Sequence, residues 1–190
     1  MTDITSAAVA RRRPSRSAAP VPAEDAAQPA QDGASPLDLV ACVELLFFAY
    51  RDFTGGPDAV LEQYGFGRAH HRVLHFVHRN PGLRVADLLD ILRITKQSLA
   101  RVLKQLIDKG FIMQRAGNDD RRERRLFVSA KGARLAEKLA ALQTKQLEDA
   151  LAKAGPGAAE FARRFLFAMI TESDRPRVEA LVKLSASTRT

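Results

Sequence analysis

VADLLDILRITKQSLARVLKQLIDKG, Val85 to Gly110, holds two amphipathic segments separated by the three residues Arg93 to Thr95. In the second segment Leu99, Val102, Leu103 and Leu106 recur at three- and four-residue spacing, which gathers them on one face of a helix. Thr95 stands at the N-cap position, where a hydroxyl accepts from the first-turn amides, and Gly110 stands where a left-handed residue ends a helix. Arg93 and Ile94 make the tight turn between the segments. The opposite face presents Gln97, Ser98, Arg101, Lys104 and Gln105, with Asp108 further along. Such side chains meet phosphates or donate to base edges in a DNA major groove. A short helix, a tight connection and a second helix with this outward face form a helix-turn-helix unit.

Directly downstream, FIMQR and RLFVS have strand composition and flank Gly117 to Glu123, GNDDRRE. They predict a β-hairpin with a charged tip carrying Arg121, Arg122 and Arg124, with Arg125 behind them. An arginine at such a tip can enter a narrow, electronegative minor groove, and Arg122 is the first candidate. Asp119, Asp120 and Glu123 can pair with some of these arginines and hold the others in position. Helix, turn, helix, hairpin is the order of a winged helix-turn-helix, so the expected fold is mainly α with a small β-hairpin wing.

Upstream, RAHHRVLHFVHRN predicts a helix with Ala69, Val73, Phe76 and Val77 on one face, ended at the Asn80-Pro81-Gly82 turn. LDLVACVELLFFAYRDF predicts a helix over roughly 37 to 53 with apolar groups on nearly every side, hence one buried all round. TGGP, Thr54 to Pro57, is expected to break it before a short helical piece near 58 to 64. Downstream lie RLAEKLAALQTKQLEDALAKAG and AAEFARRFLFAMITESD, two helical segments divided by Gly155-Pro156-Gly157. Leu135, Leu139 and Leu142 give the first an apolar stripe beyond the small core. The first and last helices are therefore expected to pack together across a homodimer interface, a purely intramolecular bundle being the alternative. Residues 1–36, rich in Ala, Pro, Ser and Gln, are read as a disordered tail. The expected division is then 1–36 tail, 37–65 N-terminal dimerisation helix and connection, 66–132 winged helix-turn-helix, and 133–185 C-terminal dimerisation helices.

Charge supports a polyanionic partner. The chain carries +8, and residues 93 to 138 alone hold 13 Lys or Arg against 5 Asp or Glu, so the other residues balance to zero. A basic block confined to one quarter of the chain focuses a positive field, whereas solubilising charge would be spread. No stretch is apolar for the length a membrane span needs, and the N-terminus lacks the apolar core of a signal peptide. A single cysteine, Cys42, excludes an intramolecular disulfide and fits a reducing compartment, so a cytoplasmic protein without membrane contact is expected. There is no Gly-rich phosphate loop, nucleophile elbow or pair of carboxylates placed for acid and base work. No enzyme activity, metal site or cofactor is expected.

The motifs Gly110-Phe111-Ile112, Asp119 to Arg122 and Ser129 to Gly132, around the helix-turn-helix, resemble the MarR family of winged-helix transcriptional regulators over about residues 37 to 175. The resemblance implies a homodimeric repressor or activator on double-stranded DNA, with a pseudo-palindromic operator. It places Thr95, Gln97, Ser98 and Arg101 on the recognition helix and Asp120 with Arg122 as a wing pair, and Lys96 is expected among the DNA contacts beside them. Arg93 departs from the family, which often has a small residue in that turn. The resemblance also implies a small aromatic ligand in a cleft lined by Phe47, Tyr50, His71 and His75.

Other readings remain open on the residues themselves. His71, His75 and His78 share a helical face beside His70, a spacing able to hold a divalent ion or face haem, although histidines also pack in helix interfaces. Cys42, on a buried helix with no local cation, reads as an inert thiol rather than a redox sensor. A basic winged-helix module can equally bind RNA or a protein partner.

Overall fold

The computed structural model describes residues 36–117 and 123–187. Helix α1 (Pro36–Glu62) leads into α2 (Arg68–Arg79), strand β1 (Leu83–Arg84), α3 (Val85–Leu92) and α4 (Lys96–Asp108). The wing strands β2 (Ile112–Ala116) and β3 (Arg124–Val128) follow, then α5 (Ala130–Ala154), α6 (Ala158–Ala168), a 3-10 turn (Glu172–Asp174) and α7 (Arg175–Ser187).

The core lies where α2, α3, α4 and the sheet meet. Leu74, Val77, Leu88, Leu99, Leu106 and Leu126 are fully or almost fully buried there. Phe66 and Phe111 meet edge to face at 5.1 Å and close one end. The four residues that define the inner face of α4, Leu99, Val102, Leu103 and Leu106, are all buried.

Local chemistry sets the element ends. Asn80, Pro81, Gly82 and Leu83 form a turn closed by the Leu83 amide donating to the Asn80 carbonyl at 3.1 Å. Gly82 takes φ 84°, where other residues are strained, while proline presets the position before it. Helix α4 ends in a Schellman motif: Gly110 (φ 73°) donates to Ile107 O and Phe111 to Leu106 O. The Ser129 hydroxyl accepts from the Gly132 amide at 3.0 Å and donates to Gly110 O at 2.7 Å, joining the end of α4 to the start of α5. Gly132 must be glycine, because a Cβ there would stand 2.0 Å from the Phe111 carbonyl oxygen.

Two expectations need correction. Thr54 to Pro57 do not break the first helix: α1 runs through Pro57 to Glu62. Proline removes the amide that would bond to the carbonyl four residues back, Phe53 O, and the Gln143 side chain of α5 donates to that oxygen at 3.5 Å instead. The first half of α1 carries apolar groups that the single chain leaves uncovered, with Leu45, Phe47, Phe48 and Tyr50 each more than half exposed. Cys42 is exposed with them. The expected hairpin of β2 and β3 is present, and β1 extends it in the antiparallel order β1-β3-β2, with Leu83 opposite Leu126 and Arg84 opposite Arg125. Two residues are too few for an alternation pattern to announce a strand. Finally, the last segment is not one helix to Asp174: α6 ends at Ala168, and α7 starts afresh at Arg175. The tail over 1–35 and the tip residues Asn118 to Arg122, including Asp119, Asp120, Arg121 and Arg122, lie outside the described residues.

Candidate nucleic-acid interface

The turn between α3 and α4 is built around Arg93, the one non-glycine residue with positive φ among those described (φ 49°, ψ 48°). Its amide donates to Leu89 O at 2.9 Å, and the Arg72 guanidinium donates to Leu92 O at 3.2 Å, so two carbonyls at the end of α3 are satisfied. The Arg93 guanidinium is held by Asp174. Thr95 then caps α4 as its position predicts, its hydroxyl oxygen accepting from the Ser98 amide at 3.1 Å.

The outward face of α4 divides into two strips. Gln97, Arg101 and Gln105 follow one another at four-residue steps and are exposed, as are Thr95 and Lys96, with Ser98 half-buried beside them. Lys104 is exposed too, but its ammonium pairs with Asp108 at 2.5 Å one turn on, an intrahelical partner that competes with an external anion. Gln105 is exposed yet tethered: His70 on α2 meets its Oε1 at 2.6 Å.

At the wing, Arg124 is exposed opposite Ala116. One residue inward, Arg84, Arg125 and Arg115 stand side by side across the three strands. Three adjacent guanidiniums repel unless acids intervene, and two do. Glu123 meets Arg125 at 2.9 Å and Arg84 at 3.5 Å, while Asp87 clasps Arg84 through two bonds of 2.6 and 2.7 Å. The clasp pulls the Asp87 carboxyl below the usual carboxylate range and pushes the Arg84 guanidinium still higher. Arg115 lies over the Phe127 ring at 5.1 Å. The base of the wing is thus fastened to the start of α3 by one glutamate. Sequence spacing gave no sign of this, because Arg84 and Glu123 are 39 residues apart.

The histidines are dispersed in role. His70 and His71 are buried. His75 packs edge-on against Phe76 at 5.3 Å, and His78 approaches Glu137 at 3.9 Å. Burial holds His71 and His75 below the usual imidazole range, more strongly than the nearby Asp58 carboxylate can raise His71, and His71, Arg79 and His78 lower His75 further. Among the described residues no group of three His, Cys, Asp or Glu side chains could hold a metal ion.

Three of the four residues expected to line a ligand cleft are brought together. Tyr50, His71 and His75, with Phe53, Thr54, Arg68, Arg72, Phe76 and Gln143, line a cavity of about 410 Å³ between α1, α2 and α5. Phe47 does not line it and points from the exposed part of α1. Among the described residues no helix is long and apolar enough to cross a membrane.

The sequence profile of the MarR family matches residues 64–123, from the connection after α1 to the residue before β3. The HTH-type transcriptional regulator PetP of Rhodobacter capsulatus is 45% identical over 139 residues, 73% of this chain and 84% of PetP. Two solved structures share the fold. FabT of Streptococcus pneumoniae in complex with DNA superposes with a TM-score of 0.63 at 15% identity, covering 70% of this chain and 94% of FabT. A mutant of E. coli MarR complexed with operator DNA gives 0.55 at 16% identity, covering 73% of this chain and 100% of the other. The buried face of α4, its capped start after a tight turn, the three-stranded wing and the extent of the match to PetP converge, and the chain belongs to the MarR family of winged helix-turn-helix transcriptional regulators.

Proposed function

We propose that the protein binds double-stranded DNA as a homodimer and regulates transcription from a pseudo-palindromic operator. The observation that carries this reading is the exposed row Gln97, Arg101 and Gln105 on the second helix of the helix-turn-helix, set in the most basic quarter of the chain. Arg101 and Gln97 have the bidentate geometry for guanine and adenine edges. Thr95, Lys96, Ser98 and Lys104 flank them, Arg124 of the wing is assigned to the minor groove, and Arg121 and Arg122, which lie outside the described residues, are assigned there from the sequence alone. Two such units with two-fold symmetry read two half-sites.

The homodimer rests on apolar surface that one chain leaves uncovered. Val43, Leu46, Phe47 and Phe48 on α1, and Phe161, Phe165 and Leu166 on α6 with Met169 at its C-cap, are all more than two-fifths exposed. Single exposed apolar residues are ordinary, but two helices carrying them in series mark a contact surface. The cavity lined by Tyr50, His71 and His75 sits between that surface and the DNA-binding lobe, a position from which a small aromatic ligand would alter how the two are joined. Selection of duplexes from a randomised pool, with structured RNA as competitor, tests the reading: enrichment of a palindromic site supports it, and equal competition by RNA opposes it.

A further inference from the structure

We propose that His70, a residue of α2 that faces no DNA itself, holds Gln105 as a pre-oriented amide donor for a DNA phosphate. The inference rests on the reading of α4 as a DNA-contacting helix and adds which atom makes one contact and what fixes it.

The imidazole is held on three sides. Its Nδ1 accepts from the Gly67 amide at 3.1 Å, at the start of α2. One ring face stacks on Phe66, with centroids 4.7 Å apart and planes 15° from parallel. A backbone N–H can only donate, so Nδ1 carries no proton and the ring proton of neutral His70 sits on Nε2. Nε2 therefore donates to Gln105 Oε1 at 2.6 Å. That bond sets the plane of the Gln105 amide and occupies its oxygen. Among the described residues nothing pairs with the Gln105 Nε2, which is left with two donor hydrogens on the exposed side of α4.

A group presenting donors suits a partner that only accepts, and phosphate oxygens are such a partner. Position along the helix agrees. Base edges are met by the N-terminal residues of a recognition helix, here Gln97, Ser98 and Arg101, whereas Gln105 lies a full turn beyond Arg101. Exposed glutamine otherwise loses rotamer freedom on binding, and the His70 bond removes part of that loss before DNA arrives.

The test uses the full chain and a duplex selected by the wild-type chain from a randomised pool. Gln105→Met keeps length and helix preference and removes the donors. It is expected to weaken binding about tenfold on every sequence alike, and to leave the salt dependence unchanged because no counterion-releasing charge is lost. His70→Phe preserves a ring on Phe66 and removes the Nε2 donor. It is expected to weaken binding in the wild-type background and to add no further loss in the Gln105→Met background. A purely structural histidine would lower affinity by the same factor in both backgrounds, and that result overturns the proposal. Gln105→Met binding as tightly as wild type overturns it on its own, without reliance on the His70 variant folding. If wild type selects no duplex at all, the DNA-binding reading fails and takes this inference with it; a wild type that selects while Gln105→Met binds normally removes the His70 role alone.

Discussion

The Arg93 guanidinium donates to the Asp174 carboxylate at 2.5 Å, tying the turn of the helix-turn-helix to the segment ahead of α7 across 81 residues of chain. Asp174 also approaches Arg177, which in turn donates to the Asp90 carbonyl on α3. An arginine in a left-handed turn, where small residues are common in the family, is thus explained by a partner in the C-terminal region. Left-handed geometry costs an ordinary L-residue roughly 1–2 kcal/mol, while an exposed ion pair returns about 0–1 kcal/mol. Arg93→Gly is therefore expected to leave stability within about 1 kcal/mol of wild type, and Arg93→Ala, which loses the pair and keeps the strain, to be less stable than Arg93→Gly by about 1 kcal/mol. Urea unfolding of the two variants measures the difference, and equal stabilities would refute the strain argument.

Gly132 offers a sharper case. A methyl group at this position collides with the Phe111 backbone oxygen, which cannot rotate away because it also accepts from the Ser129 amide. Gly132→Ala is expected to cost on the order of 3 kcal/mol, by separating α5 from the end of α4. A melting temperature equal to wild type would show that the junction relaxes freely.

Much of the DNA-binding lobe is legible in the sequence because its information is local. The spacing of Leu99 to Leu106, the Thr95 cap and Gly110 each act within one or two turns, and each is where that logic puts it. Strand β1 and the continuation of α1 through Pro57 are not legible in this way. The first is a two-residue strand defined only by its partner β3, and the second depends on a side chain of α5 reaching Phe53 O. The same limit applies to the site. The outward face of α4 follows from helical periodicity, whereas the His70–Gln105 bond, the Glu123 clasp and the Arg93–Asp174 pair link residues 35 to 81 positions apart. Local pattern carries no trace of such pairs.

Acid should weaken the fold through α2. Burial lowers the folded-state pKa of His71 and His75, so the unfolded chain binds protons more readily below the ordinary imidazole value of about 6.5. Stability then rises with pH in that window: it is complete above about pH 6.5 and declines as pH falls toward the lowered native values. Denaturant unfolding at pH 7.5 and 5.5 should show the loss, and a His71→Gln, His75→Gln variant should lose less. An equal loss in the variant would place the acid sensitivity elsewhere.

Charges planted on the uncovered apolar faces should separate the proposed dimer. Phe47 and Phe161 are 69% and 63% exposed in the single chain, so Phe47→Glu with Phe161→Glu leaves its core untouched. Light scattering after size exclusion is expected to give a dimer mass for wild type and a monomer mass for the variant, with helical content retained. A wild-type monomer would contradict the proposed symmetry of binding.

The central claim, that α4 reads DNA sequence, is tested most directly by the base preference of Arg101→Ala against wild type on one randomised duplex pool. The account predicts that wild type enriches a palindromic site, and that the variant loses discrimination at one base pair in each half-site by roughly 1–3 kcal/mol while keeping the rest. An unchanged preference at every position would contradict it.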